Sequence, residues 1–174
     1  METKKTSWTI DPAHSEFTFK VKHMMISTVT GRFENFDANV ETSGDDFTNA
    51  NIDVKVNVDS INTNNGDRDN HLKSDDFFNA EKYPVLSFKS KKFDGEKLVG
   101  DLSIRDVTKE VTLDTDFNGI VVDPWGNTKA GFELTGEINR KDFGLMWDAV
   151  TEAGSVVVSN KIKLAVNVQL VKSA

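Results

Sequence analysis

The chain of 174 residues contains no cysteine, which excludes disulfides, thiolate nucleophiles and thiolate metal sites. It has no cluster of lysine and arginine, and its formal net charge of −7 disfavours nucleic acid or an anionic membrane surface as a partner. No apolar run approaches the roughly 20 residues that a membrane span requires. The start METKKTSWTID also lacks the apolar core of an export signal. We expect a soluble, cytoplasmic protein, or a periplasmic one if a signal ahead of this sequence was removed.

Recognisable catalytic and metal-binding signatures are absent as well. The sequence has no G-x-S-x-G, P-loop, H-E-x-x-H or Rossmann fingerprint. Its three histidines are His14, His23 and His71, and a regular strand would place the first two on opposite faces. Zinc takes three or four converging ligands, so we expect neither a metal nor a cofactor. His14, Asp11 and Ser15 are instead typical of a hydrogen-bonded set that stabilises a turn.

Two other polar groups leave alternatives open. Arg68, Asp69 and His71 are compatible with general acid/base chemistry, because a carboxylate beside an imidazole can orient it. The interpretation that we favour is a helix-start cap with a buried polar tie. Arg140 and Lys141 flank the apolar stretch FGLMW, where a cation either meets a lipid head group or is ordinary rim charge.

Alternation of apolar and polar residues dominates the rest of the chain. Because strand side chains point alternately to opposite faces, each such stretch is typical of a strand with one apolar face. With little helix to cover an open sheet, these strands close a sheet on itself or stack two sheets. We expect one all-β domain over residues 1–174, with 1–7 as a flexible lead. The apolar members are Phe17, Phe19, Val21; Ile52, Val54, Val56, Val58; Leu98, Leu102, Ile104; Val111, Leu113, Phe117; Phe132, Leu134, Ile138; and Ile162, Leu164, Val166, Val168, Leu170.

Two interruptions predict corners in the sheet. The first strand, over residues 8–23, breaks near Asp11 and Pro12, since proline cannot donate to a strand ladder. In the second strand the apolar parity changes between Phe33 and Phe36, which indicates a bulge or bend. A barrel needs such corners.

The segment GDRDNHLKSDDFFNAEKYP departs from alternation. Asp67 and Asp69 stand at its start, Leu72 follows one turn on, and Pro84 closes it. This order predicts one short helix in the region 66–80. Its apolar members, Leu72, Phe77 and Phe78, are placed to plug one end of a barrel.

Four long motifs occur together in one order: WTIDPAHSEFTFKVKHM at residues 8–24, RDNHLKSDDFF at 68–78 with YPVLSFKS after it, GDLSIRDVTKEV at 100–111, and INRKDFGLMW at 138–147. From residue 8 to the last strand, the chain therefore resembles the YceI-like family, soluble bacterial barrels known as polyisoprenoid-binding proteins. The resemblance implies an eight-stranded antiparallel lipocalin-like β-barrel whose channel takes an isoprenoid chain or quinone tail, often in a homodimer. Many relatives carry an export signal, and this start resembles the members without one.

Our leading hypothesis is a non-enzymatic carrier, store or transporter for a long apolar lipid. An enzyme that acts on a lipid-like substrate with a histidine base is the alternative. A filled structural barrel with a protein partner is a third, which we disfavour because the outer strand faces are polar. The residues predicted to line the interior or its mouth are Phe17, Phe19, Val21, Val54, Val56, Phe88, Leu102, Ile104, Leu113, Phe132, Leu134, Phe143, Leu145, Met146, Trp147 and Leu164; the polar motif residues are Asp11, His14, Ser15, His23, Arg68, His71 and Arg140.

Overall fold

The computed structural model describes residues 5–23, 26–145 and 158–173, and over these ranges the chain is mostly β-strand. One α-helix, α1 (Gly66–Lys73), and three 3-10 turns, Pro12–His14, Val58–Ser60 and Arg140–Phe143, accompany the strands in the described part. The strands are β1 (Lys5–Ile10), β2 (Glu16–His23), β3 (Ser27–Phe33), β4 (Phe36–Ser43), β5 (Asp46–Asn57), β6 (Ile61–Asn62), β7 (Val85–Phe93), β8 (Lys97–Ile104), β9 (Val107–Val122), β10 (Thr128–Asn139) and β11 (Val158–Lys172).

The strands form one antiparallel sheet that closes on itself. Its order is β1, β4, β5, β7, β8, β9, β10 and β11, and β1 completes the ring by pairing with both β4 and β11. β2, β3 and β6 extend β1, β4 and β5 along the barrel, since β2 pairs with β11 and β3, and β3 pairs with β6. The prediction of a closed eight-stranded antiparallel barrel with one short helix is therefore confirmed.

The first barrel strand is broken at Asp11 and Pro12, as predicted. The Asp11 N–H donates to the carbonyl of Gln169 at 2.8 Å, and its carboxylate accepts from the Ala13 N–H at 3.1 Å. Pro12 has no N–H and cannot continue the ladder, so a 3-10 turn separates β1 from β2. Residues 5–7, expected to belong to the flexible lead, form the start of β1 instead.

The second barrel strand is broken between Phe33 and Phe36, where the parity changes. At the break, the Glu34 N–H donates to the Ser60 carbonyl at 3.1 Å, and the Asn35 N–H donates to the Ser60 hydroxyl at 3.0 Å. The break shifts the alternation by one residue, so both phenylalanines pack against the core. The corner thus keeps the interior apolar.

The α1 helix and the turns after it cover one end of the barrel. The Asn65 side chain caps the helix by accepting from the Arg68 N–H at 3.0 Å. Beyond the helix, Phe77 is buried, and Arg105 donates to its carbonyl at 3.3 Å while pairing with Asp75 at 3.3 Å. Over the described ranges, no helix has the length and apolarity needed to cross a membrane.

The hairpin that joins β9 and β10 carries exposed apolar side chains. Val121, Val122 and Trp125 are 63%, 68% and 81% exposed. The Asp123 carboxylate organises the turn by accepting from the N–H groups of Trp125 and Asn127, each at 2.9 Å. This surface differs from the polar outer face that the alternation predicts, because β9 ends in three consecutive apolar residues, Ile120 to Val122.

Candidate functional site

The barrel encloses an apolar interior space in two adjoining parts. The larger part, cavity 1, has a volume of about 110 Å³. Its walls come from β1, β2, β4, β5 and β7 to β11. Among the described residues that line it, Thr115 alone has a polar side chain. A wall of this kind suits an apolar chain, which needs no directional partner.

The smaller part, cavity 2, has a volume of about 70 Å³. It lies toward the end that α1 covers, since Leu72, Phe77 and Phe78 line it. Arg140 is its polar lining residue in the described part of the chain, although its charged group is committed to backbone carbonyls, as described below. Cavity 2 is therefore an apolar extension of cavity 1 toward the helix.

The two cavities share four lining side chains, and we call this boundary the waist. Phe17, Leu86, Leu102 and Leu164 line both cavities and thus define it. Leu86 and Leu102 are buried, whereas Phe17 and Leu164 are partly buried. A chain long enough to occupy both cavities has to pass between these four side chains.

Two glycines lie beneath aromatic rings of a neighbouring strand, and both rings lie against the barrel wall. Phe19 pairs across the sheet with Gly31, and a Cβ on Gly31 would lie 2.2 Å from the tip of the Phe19 ring. Likewise, a Cβ on Gly100 would lie 2.4 Å from the tip of the Phe88 ring. Such distances are far below van der Waals contact, so each ring lies flat over its glycine. Rings in this position leave more of the interior unfilled.

Most of the residues predicted to line the interior do line a cavity; whether they touch a ligand stays a prediction. Phe143 is buried but lines neither cavity. Met146 and Trp147 lie outside the described residues. The predicted residues in cavity 1 are Phe17, Val54, Val56, Phe88, Leu102, Leu113, Phe132, Leu134 and Leu164, and those in cavity 2 are Phe17, Phe19, Val21, Leu102, Ile104, Leu145 and Leu164.

Phe143 and Leu145 belong to the packed interior rather than to an open mouth. Only 2% of Phe143 and 1% of Leu145 is exposed. Gly144 between them has a φ of 80°, a left-handed conformation that glycine adopts without strain. This residue ends the 3-10 turn Arg140–Phe143 and lets the chain turn both apolar neighbours inward.

Arg140 is buried, with 1% exposure, and is not ordinary rim charge. Its guanidinium donates to the carbonyl oxygens of Leu145 at 2.7 Å, Ser159 at 3.0 Å and Val158 at 3.3 Å. The side chain therefore ties the 3-10 turn to the start of β11. The sequence offered no signal for this burial, because two of the three carbonyl partners, Val158 and Ser159, come from the start of β11.

The polar set at the first strand break includes one partner that sequence reasoning missed. His14 Nδ1 lies 2.9 Å from Asp11 Oδ2, and the Lys129 ammonium donates to the same oxygen at 2.8 Å. The hydrogen bonds from Lys129, His14 and the Ala13 N–H lower the pKa of Asp11 to about 2. Ser15 accepts from the Gln169 N–H at 3.1 Å. The set stabilises a turn on the barrel wall, as its residue types indicate.

Arg68 and Asp69 form a polar tie at the helix start. Arg68 donates from Nε to the Thr63 hydroxyl at 2.8 Å and from Nη2 to the Thr63 carbonyl at 2.6 Å. Asp69 accepts from the Thr63 N–H at 2.8 Å. His71 lies 2.8 Å from the carboxylate of Asp76, not of Asp69. The polar tie that we favoured for this motif is thus observed, but it is only partly buried because Arg68 is exposed, and the helix cap is Asn65 rather than a residue of the motif.

The three histidines occupy separate elements. His14 lies in the turn between β1 and β2, His23 ends β2, and His71 lies in α1. His14 and His71 line neither cavity. Across the ranges that the structure covers, no three histidine, aspartate or glutamate side chains form a group suited to a metal ion.

Sequence reasoning missed part of the lining although a signal for it was present. Val166 and Val168 share the apolar parity of Leu164 and line cavity 1 with it. Thr115 likewise has the parity of Val111 and Leu113, but its hydroxyl hides it from a search for apolar residues. Parity alone would have found all three.

These features define a class: closed antiparallel β-barrels with an apolar internal cavity. Residues 8–170 match the YceI-like domain, and the chain belongs to the YceI-like family. A UPF0312 protein from Staphylococcus aureus strain N315 is 40% identical over 159 residues, which cover 91% of this chain and 93% of that protein.

Solved structures agree with the fold. The YceI protein of Campylobacter jejuni has a TM-score of 0.73 at 35% identity, covering 89% of this chain and 91% of that one. A polyisoprenoid binding domain from Saccharophagus degradans, implicated in plant cell wall breakdown, has a TM-score of 0.73 over 95% of this chain and 98% of that one. Its identity is 15%, so it supports the fold alone.

Proposed function

We propose that this protein binds a long apolar isoprenoid or quinone-like lipid in the barrel interior and stores or carries it without catalysis. The observation that carries the proposal is the pair of adjoining cavities, whose described walls are apolar apart from Thr115 and Arg140. The name of the Saccharophagus degradans domain, a polyisoprenoid binding domain, fits the same ligand class.

The energetics favour a chain of several isoprene units. Burying one five-carbon unit contributes roughly 4 kcal/mol before losses, at about 0.8 kcal/mol per carbon. Association costs about 4–15 kcal/mol in lost freedom, so one unit does not suffice and a few do. Apolar walls measure the length and girth of a ligand but discriminate weakly among apolar chains. Specificity for chain type should be loose.

The absence of catalysis is proposed from the placement of His14 and His71, the two histidines whose side chains the structure describes. His14 and His71 each lie beside a carboxylate, Asp11 and Asp76, as an acid/base pair would. Neither histidine lines a cavity, so an enclosed lipid would be out of their reach. A lipid-directed enzyme would lose turnover on His14→Ala or His71→Ala without loss of folding.

We also propose that two copies associate. The β9–β10 hairpin presents Val121, Val122 and Trp125 to solvent, and exposed apolar groups of this size mark association surfaces. A second copy would cover them in a twofold arrangement. The family resemblance fits this state.

The experiment that tests the lipid proposal is native mass spectrometry of the protein purified from its own host, followed by organic extraction and identification of the lipid. A stoichiometric isoprenoid or quinone supports the proposal and identifies the cargo. A protein that is empty and, after delipidation, takes up neither farnesol nor a short-tailed quinone contradicts it.

A further inference from the structure

One buried polar atom in the cavity wall has no hydrogen-bond partner among the residues that the structure describes. The described residues include four buried polar or charged side chains: Thr42, Thr63, Thr115 and Arg140. Within the described part of the chain, the Thr115 hydroxyl is the buried side-chain oxygen or nitrogen without a hydrogen bond. Buried polar atoms in folded proteins are nearly always paired, so this one requires an explanation.

The other buried threonines show what a paired hydroxyl looks like in this fold. The Thr42 hydroxyl accepts from the Trp8 indole N–H at 2.9 Å and donates to the Gly44 carbonyl at 2.6 Å. The Thr63 hydroxyl accepts from Arg68 Nε at 2.8 Å. Neither lines a cavity, whereas Thr115 lines cavity 1. The unpaired hydroxyl thus coincides with the space in which we place the lipid.

The strand pairings of Thr115 fix its position in the barrel wall. Its N–H donates to the Glu96 carbonyl at 2.8 Å, and it stands opposite Leu134 in the β9–β10 ladder. Thr115 is 7% exposed, so bulk water does not satisfy its hydroxyl. Leaving such a group unpaired is costly, and a bound oxygen would remove that cost.

We propose that Thr115 binds the polar head of the cargo, a hydroxyl or carbonyl oxygen, in cavity 1. This inference rests on the proposed lipid-binding function and adds an orientation to it. Thr115 lines cavity 1 but not cavity 2, so a head bound there leaves the rest of cavity 1 and all of cavity 2 to the apolar chain. The tail then runs from Thr115 toward the waist and cavity 2.

Beside the proposed head-group site lies an aromatic side chain, Phe132, which is two residues from Leu134 on the same face of β10. The site therefore suits a ring-shaped head as well as a simple alcohol. Phe132 lines cavity 1 and is a diagonal neighbour of Thr115 across the ladder. Its ring packs against Phe47 at a centroid distance of 4.8 Å. A quinone ring that accepts from Thr115 would meet an aromatic wall there.

The test compares probes that differ in the head alone, on the full chain after delipidation. Farnesol and farnesene differ in a hydroxyl, and decylubiquinone and decylbenzene differ in the quinone oxygens. Dissociation constants are measured by displacement of a fluorescent apolar dye from the wild type, Thr115→Val and Thr115→Ser. Thr112→Val, on the exposed face of β9, is the matched control.

We expect Thr115→Val to weaken binding of the oxygen-bearing probes about threefold to tenfold, the size of one hydrogen bond. Farnesene and decylbenzene should bind unchanged or slightly more tightly, and Thr115→Ser should retain the wild-type values. If Thr115→Val weakens the binding of farnesol alone, the site is assigned to an alcohol head. If it weakens the binding of decylubiquinone alone, the site is assigned to a quinone head.

The melting temperature of the empty protein is a second test, in which Thr115→Val is expected to stabilise the fold although it weakens ligand binding. Valine fills nearly the same volume without an unpaired hydroxyl, so the empty Thr115→Val protein should melt about 2–4 °C higher than the wild type. Equal effects on all four probes, or no effect on any, overturn the head-group assignment while leaving lipid binding intact. A wild type that binds none of the probes overturns the proposed function itself.

Discussion

Replacement of Leu102 by phenylalanine is expected to close the waist between the two cavities. Leu102 is 5% exposed and lines both cavities, so a larger side chain there narrows the passage directly. In a solid core, such overpacking costs about 1–3 kcal/mol of folding free energy. Where the added ring finds unfilled space, the cost is smaller. We therefore expect Leu102→Phe to fold and to change the free energy of unfolding by less than about 1 kcal/mol.

The effect on binding should depend on chain length. One further isoprene unit buried in the cavities contributes roughly 4 kcal/mol gross, less about 1 kcal/mol for ordering the chain. The remaining 3 kcal/mol corresponds to about a hundredfold in affinity. In the wild type, affinity should rise steeply from geraniol to farnesol to geranylgeraniol, each longer by one unit. In Leu102→Phe the rise should stop once cavity 1 is full.

The assay is dye displacement with each prenol delivered from cyclodextrin, alongside urea unfolding of the empty proteins. Leu98→Phe is the matched control, since Leu98 lies on the same strand and lines cavity 1 but not cavity 2. It should lower affinity for every chain while leaving the rise beyond the waist. A wild type without any chain-length dependence, or a Leu102→Phe protein that keeps the full rise, would refute the two-cavity path.

Three more predictions concern the wall, the strand break and the hairpin. Gly31→Ala should push the Phe19 ring into cavity 2. It should therefore lower the free energy of unfolding in urea by about 1–3 kcal/mol and weaken the binding of geranylgeraniol. The control Gly66→Ala, which has open space around it, should have neither effect. The pKa of Asp11 in the folded protein is lowered to about 2, so its ionised carboxylate stabilises the fold by about 1–2 kcal/mol above pH 4. This stabilisation is lost as the pH falls toward 2. The difference in the free energy of unfolding between the wild type and Asp11→Asn should close over that range. Trp125→Ser should convert a dimer into a monomer in sedimentation velocity, and an unchanged dimer would move the interface elsewhere.

Local sequence signals predicted the barrel wall well. Alternation identifies which side chains of a strand face inward, and it does so without knowledge of the neighbouring strands. Pro12 and the parity change between Phe33 and Phe36 located both corners within a residue or two, because each acts on the backbone where it stands. The number of strands came from the family resemblance, since alternation alone also permits two stacked sheets.

The unfilled interior and its polar points depend on contacts that sequence position does not reveal. Phe19 lies flat because Gly31 stands opposite it in the sheet, and that pairing follows from register. Arg140 is buried because carbonyls from Leu145 and the start of β11 converge on it. Thr115 occupies an inward-facing position of β9, but its hydroxyl makes it polar, so the alternation of apolar residues does not mark it. A search for polar residues at inward positions would have found the candidate head-group site.

Under the proposed function, the walls and Thr115 divide lipid recognition into two independent parts. The apolar walls are expected to bind any chain of suitable girth, and the waist at Leu102 is expected to set how much of its length contributes. Neither feature distinguishes one end of a hydrocarbon from the other. A single unpaired hydroxyl in an otherwise apolar cavity does, because a ligand oxygen gains a partner at one end only. Orientation thus follows from one hydrogen bond, while affinity follows from buried length, so substitutions at the two positions should alter different properties of binding.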